Sequence, residues 1–452
     1  MNKSEENQYT SVDLDSHKIE KGSQPVFIDL NSDTFIDFIY NQNNNSGDHD
    51  IRAAIYDPKN NGFESNSIGF LDNYIYVNEN VGCKSIPNEA SLKLSVPNFS
   101  TLTDMNSDCV SDLYLVAGTS TSDINGYTFI STKVTKGSDQ TLRYCLVEIE
   151  DLYANNYTSP VFADFNNDGS IDKVLYNTGS NAIHTFYNER PANSAGSSTL
   201  CRDVPEVVNN GPAGLFTDYT LYTGSPDVTV LSDTSGLYAH PLLESFIPGQ
   251  LRTGDIDSDG FPDLFSTFTD MDGNPVTLVL INSECGADNI SHNIKRSLEE
   301  DNAECTTRTF DTTNDFDEIA QIEDSMYGFF IDFDDNGRID FVIVKLGSSS
   351  TTTLQTFYNN FSRDSYYITA TTYTAGAESF GSKVYGVSYR GIYTSLGDSR
   401  IAFVAQQISR VSFGALEQPI ATYVIGRSNN YIEDFTVTYP IQESSKLSNV
   451  II

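Results

Sequence analysis

Short apolar runs alternate along this chain with clusters of Asp, Asn, Ser, Thr and Gly. That rhythm predicts half-buried strands joined by turns, with few helices. Five of the polar clusters share one form, D-x-[DN]-x-[DN]-x-x-x-D, set between two apolar strands. They are VFIDLNSDTFIDFIY, LTDMNSDCVSDLYLV, VFADFNNDGSIDKVLY, TGDIDSDGFPDLFST and FIDFDDNGRIDFVIV. Their first aspartates, Asp29, Asp104, Asp164, Asp255 and Asp332, lie 75, 60, 91 and 77 residues apart. Repeats on that scale with only β signals between them predict propeller blades, five to seven in number, rather than a helical solenoid. Further strands and turns are expected at YDPKNNG from Tyr56 and at NYIYVN after Asp72. TVLSDTSGLYA from Thr229 and TDMDGNPVTLVLIN from Thr269 read as hairpins.

The expected fold is therefore all-β. Residues 1–22 are a polar N-terminal segment, 23–365 hold the repeats, and 366–452 form a β-sandwich-like C-terminal domain. The alternative for the last segment is one more irregular part of the propeller. Charge separates the two regions. The chain carries 62 acids against 26 bases, a formal charge of −36, yet Tyr366 to Ile452 is neutral. The excess thus lies before Tyr366, nearly all of it in the repeats. It argues against nucleic acid or an anionic membrane surface as partner, because phosphates call for clustered Lys and Arg. It suits divalent cations or a self-repelling, soluble surface.

The repeated loop has the chemistry of a calcium clamp. Calcium takes six to eight hard oxygens at about 2.3–2.6 Å. Loop positions 1, 3, 5 and 9 offer carboxylate or amide oxygens, and position 7 a backbone carbonyl. The candidate ligands are Asp29, Asn31, Asp33 and Asp37; Asp104, Asn106, Asp108 and Asp112; Asp164, Asn166, Asp168 and Asp172; Asp255, Asp257, Asp259 and Asp263; and Asp332, Asp334, Asn336 and Asp340. Gly169, Gly260 and Gly337 at position 6 suit the tight turn, whereas Thr34 and Cys109 stand there in the first two loops and weaken the calcium reading. Plain Asx turns are the other reading. Each loop is filled by its own ligands, so the metal is expected to clamp a strand turn and to perform no chemistry.

Other chemistry is sparse. The five histidines are scattered, and no H-E-x-x-H, G-x-S-x-G or phosphate-binding glycine loop occurs. No catalytic residue is assigned. Tyr and Phe are plentiful and could line a glycan site, though such rings more often fill β cores. The six cysteines fit three disulfides in an oxidising compartment, with buried cytosolic thiols as the alternative. Cys285 and Cys305, which bracket a polar stretch, are the first pair expected. Sequons stand at Asn2, Asn44, Asn98, Asn156, Asn289 and Asn360, about as many as chance provides in so polar a chain. No stretch of about 18 apolar residues is present, so no membrane-spanning segment is expected. The polar start lacks a signal-peptide core, and an extracellular protein would here be a mature or trimmed form.

The five loops resemble the FG-GAP/VCBS repeats of integrin-α-like propellers. The run LRTGDIDSDGFPDLFSTF, the cysteine pair, RTF at Arg308, FFIDFDDNGRIDFVIV and YVIGRSNNYIEDFTV (Tyr423 to Val437) are together similar to the T-cell immunomodulatory protein family. The resemblance runs from about Gln24 to the end. It implies a cell-surface glycoprotein with a propeller of about seven repeats, a β-rich domain beneath it and a membrane helix. This chain departs by lacking repeats before Asp29 and a membrane helix after the β domain, so it is expected to be trimmed at both ends or closed by another chain.

Three functions follow as expectations. The leading one is an extracellular or cell-surface, calcium-stabilised adhesion or interaction protein, with protein or glycan partners and no catalysis. The second is a self-assembling subunit of an extracellular filament or sheath. The third is a calcium-dependent propeller enzyme acting on polysaccharides or phosphoesters, for which no residue can be named.

Overall fold

The apolar runs flanking each Asp loop form antiparallel strand pairs, and the loop is the turn between them. Val26–Ile28 pairs with Asp37–Asn41, Thr101–Thr103 with Asp112–Ser120, and Tyr157–Ala163 with Asp172–Asn177. Arg252–Gly254 pairs with Asp263–Asp270, and Ser325–Ile331 with Asp340–Leu346. The register is the same five times: the residue before the first aspartate faces the ninth-position aspartate. A period-2 pattern fixes which face each strand buries, so one register serves all five.

These relations come from a computed structural model. It describes residues 17–20, 24–42, 51–188 (without 61, 65, 97 and 121), 201–208, 211, 214–216, 219, 221–222, 224–231 and 237–238. Beyond these it describes 251–270, 275–285, 307–311, 317–320, 322, 325–334, 336–346, 352–360, 366–373, 383–394, 400–408, 421–425, 432–443 and 446–451. The architecture is all-β, with two short α-helices at Phe70–Tyr74 and Asp317–Ala320 and one 3-10 turn among the described residues.

Each strand pair grows into its own sheet, and neighbouring sheets share a core. Ile39, Phe70, Leu113 and Tyr144 join the first sheet to the second. Tyr114, Val116 and Leu175 join the second to the third. Val174, Leu264 and Phe310 join the third to the fourth, and Phe265, Phe330 and Phe341 the fourth to the fifth. Between the second and third sheets a buried lysine adds to this. Lys173 Nζ lies 2.9 Å from Glu150 Oε2 and is ringed by Tyr222, Phe186 and Tyr114, with centroids at 4.8, 5.2 and 5.9 Å.

One local expectation changes. The stretch from Thr229 is not a hairpin: Asp227–Val230 pairs with Ala182–Phe186, whereas Leu237–Tyr238 pairs with Asp263–Asp270 in the next sheet. The chain crosses from one sheet to the next there, and hairpin-like residues give no sign of it. Glu206–Val208 returns from the third repeat to lie parallel on Asp123–Lys136 of the second sheet. The hairpin from Thr269 does form, Thr269 facing Pro275, as does the small one at Tyr56, facing Phe63.

Disulfides reinforce the second sheet. Cys83 is bonded to Cys145 and Cys109 to Cys201. Cys285 is disulfide-bonded; its expected partner Cys305 lies outside the described residues. No helix among the described residues is long and apolar enough to cross a membrane.

The C-terminal strands form two sheets. Tyr367–Ala370 pairs with Ala421–Val424, and Arg400–Gln407, Val387–Thr394, Ile432–Glu443 and Lys446–Ile451 form the other in that order. Val387, Tyr389, Ala421 and Tyr439 share one apolar cluster, and Tyr393, Phe403 and Ile425 another. The Phe403 and Tyr423 rings stack across the two sheets at 4.4 Å.

Candidate metal loops and their seat

All five loops are built by one set of hydrogen bonds. The first-position aspartate accepts the backbone N–H of position 5 on one oxygen and that of position 6 on the other. In the third loop these are Asp168 N to Asp164 Oδ1 at 3.0 Å and Gly169 N to Asp164 Oδ2 at 2.8 Å. The same pair recurs at Asp29, Asp104, Asp255 and Asp332. Position 5 (Asp33, Asp108, Asp168, Asp259 and Asn336) accepts the N–H of position 7. The turn is thus the same with or without glycine. Thr34 and Cys109 take φ of 76° and 67°, beside 85° for Gly169 and 96° for Gly260.

The ninth-position aspartates Asp37, Asp112, Asp172, Asp263 and Asp340 are all fully buried. One oxygen of each accepts the N–H of position 2, which closes the loop. The other accepts a backbone N–H from a following strand or from just past its end, at Tyr56, Ser131, Asn188, Asn282 or Asn359.

The last three of those residues were missed in the sequence. Asn282 Nδ2 donates to Pro262 O of its own loop at 3.0 Å and to Phe165 O of the preceding loop at 2.9 Å. Asn188 bridges Ile171 and Met105 in the same way, and Asn359 bridges Ile339 and Ile256. A ladder of amides therefore ties loops two to five in chain order. The signal was present: FYN ends at Asn188 and again at Asn359, and IN ends at Asn282. Arg308 holds Asn282 in turn, its Nε 2.6 Å from Asn282 Oδ1 and its guanidinium 3.5 Å from the Phe261 ring centroid.

The loops divide by their third position. Asn31, Asn106 and Asn166 each donate Nδ2 to the fifth-position carboxylate at 2.9–3.1 Å. The fourth and fifth loops have Asp there instead. One oxygen each from Asp255, Asp257 and Asp263 lies within 4.8 Å of the others, and so for Asp332, Asp334 and Asp340. That span equals two calcium–oxygen distances. The donors are hard oxygens throughout, so the residues fit a calcium ion.

The electrostatics is that of crowded, desolvated carboxylates. Burial, then neighbouring carboxylates, pushes Asp37 and Asp255 up to about 8. Asp29 rises to about 7 through burial and Asp33, against hydrogen bonds from Tyr439 and the loop backbone. Burial and nearby carboxylates also hold Asp108, Asp112, Asp164, Asp172 and Asp263 well above the usual range. Clustered, desolvated carboxylates resist ionising together unless a cation joins them.

The C-terminal sheets rest on this loop face. Tyr439 donates to Asp29 Oδ2 of the first loop. Gln406 Oε1 accepts the Asp104 N–H at 3.0 Å, and Ser111 Oγ donates to Gly386 O at 3.0 Å. Arg390 donates to Asp104 Oδ2 and to Gly169 O. Tyr423 donates to Asn167 Oδ1 at 3.2 Å. At the fifth loop Tyr367 packs so close to Gly337 that a Cβ there would lie 1.9 Å from the ring. None of these C-terminal residues was singled out in the sequence. Only an arginine inside the apolar run KVYGVSYRGIYTS hinted at them.

The sequons fall in different settings. Asn156 and Asn360 are exposed. Asn98 is fully buried, its Nδ2 donating to Gln24 O at 2.9 Å, a bond that a glycan on that nitrogen would break. Asn44 and Asn289 lie outside the described residues.

Comparison with known proteins follows the same division. Residues 379–451 match the family model described as "ITFG1, C2 domain". A T-cell immunomodulatory protein homolog of Plasmodium falciparum (isolate 3D7) is 23% identical over 93% of this chain and 58% of its own length. A homolog from Plasmodium yoelii yoelii is 24% identical over 78% of the chain and 52% of its own. The human T-cell immunomodulatory protein is 24% identical over 78% of the chain and 53% of its own. The chain spans about half the length of the curated relatives it matches. Over most of its length, then, the chain is similar to the T-cell immunomodulatory proteins, with the C2 domain of that family matched at its C-terminal sheets.

Proposed function

We propose that this chain is an extracellular or cell-surface interaction protein, without catalysis, whose repeats are propeller blades clamped by calcium. The observation that carries the calcium part is the convergence of three carboxylate oxygens within 4.8 Å in both the fourth and fifth loops. The remaining loops repeat the same backbone frame around buried aspartates. The propeller part is supported by successive sheets that share cores in chain order.

In the fourth and fifth loops the residues that would hold the ion are positions 1, 3, 5 and 9; a bound calcium would supply charge neutralisation there and nothing reactive. First-position oxygens are engaged by backbone N–H groups, which suits a clamp and leaves little for activating a substrate. Disulfides favour an oxidising compartment. The names of the relatives favour protein partners.

Thermal unfolding in calcium and in excess EDTA tests the reading. Calcium should raise the melting temperature, and titration calorimetry should find at least two sites. An unchanged melting curve and no binding heat would overturn it. In the fourth loop, Asp257→Asn should weaken one site without unfolding the chain.

A further inference from the structure

The five loops would form a row of negative charge if nothing covered them, yet the second loop is the most deeply buried. Asp104, Asn106, Asp108 and Asp112 are each at most 2% exposed. What covers this loop carries a charge of its own. Arg390, from strand Val387–Thr394, is 1% exposed and points into the loop row. Its Nη2 and Nε lie 2.7 and 3.2 Å from Asp104 Oδ2, and its Nη1 lies 2.6 Å from Gly169 O of the third loop.

Burying a guanidinium is costly unless it is paired and its donors are used. Both conditions are met, and the partners belong to two different repeats. Neither the arginine nor the aspartate could stay paired if the C-terminal sheets lifted away.

We propose that Arg390 is a resident cation of the second and third loops, and that it keys the C-terminal sheets onto the loop face as a charge-dependent joint. Tyr439, Gln406, Tyr423 and Tyr367 complete the seat along the row but bring no charge. The joint opens when the Asp104 charge is removed or the guanidinium is lost. It stands on contacts within the chain and does not depend on calcium in the loops.

Scanning calorimetry and small-angle X-ray scattering on the whole chain, in EDTA, test it. The native chain should unfold with the C-terminal sheets and repeats coupled. Arg390→Met keeps the volume but not the charge; it should split off a C-terminal transition roughly 5 °C or more lower and raise the radius of gyration. Asp104→Asn should do the same from the repeat side, which also gives a reading if the first variant fails to fold. Arg390→Lys should restore part of the loss, and the double variant should be no worse than the poorer single one. An unchanged transition and radius in Arg390→Met, or single effects that add in full, would overturn the joint. A missing calcium response in the native chain would count against the metal clamp alone.

Discussion

Asn282 stands nineteen residues after Asp263, and its side chain bonds carbonyls of two different repeats. Asn282→Ala leaves the buried Phe165 carbonyl and the half-buried Pro262 carbonyl without that donor and removes the bond from Arg308 Nε. We expect a loss of about 1–3 kcal/mol, read by urea unfolding, with no change at loops one and two. Asn282→Asp should be no better, because a carboxylate cannot donate to those carbonyls. His17 makes a different residue-scale prediction. It is buried against the rings of Phe38, Tyr40 and Phe63, and burial lowers its pKa, against a raising hydrogen bond at Glu64. The unfolded state then binds a proton near pH 6.5 that the folded state refuses. Its stabilising contribution is therefore present above that pH and declines as pH falls through it. His17→Phe should flatten the stability profile between pH 7 and 5 relative to the native chain; an unchanged slope would show that His17 does not titrate there. The aspartates of the motif were legible because their spacing repeats. The asparagines were not, because one residue per repeat beside an aromatic or isoleucine looks like any strand end.

Among elements, the loop turn is the clearest case of backbone outweighing side-chain preference. A Thr at φ 76° pays for a β-branched side chain in left-handed space. Thr34→Gly should therefore stabilise the first repeat by about 1 kcal/mol, and Gly169→Thr should destabilise the third by at least as much. Paired melting curves would check both signs. In the sequence, the missing glycines count against the first two loops. The structure keeps the turn there because five hydrogen bonds per loop hold it, and at Cys109 the bond to Cys201 helps. Strand pairs around the loops were readable from alternation. The Thr229 segment was not, since its halves are claimed by different sheets.

For the whole molecule, the two long-range disulfides whose cysteines both lie among the described residues restrain the unfolded chain. They join residues 62 and 92 positions apart, and by loop entropy each is worth about 4 kcal/mol. Both attach to the second repeat, so reduction should unfold that sheet first. Hydrogen exchange under reductant should show Asp112–Ser120 and Asp139–Asp151 losing protection before the fifth sheet. Simultaneous loss everywhere would instead mean one cooperative unit spanning all five sheets.

The order of apolar and polar positions determined the all-β class and the five loops with their carboxylates and amides, because these depend on a period of two and on a nine-residue motif along the chain. The same order could not determine which cysteine meets which, since pairing depends on chain paths that return across 62 and 92 residues. Nor could it reveal the contact of Arg390 with Asp104, residues 286 positions apart. A buried charge is tolerated only where a partner arrives, and where it arrives is a property of the packed chain.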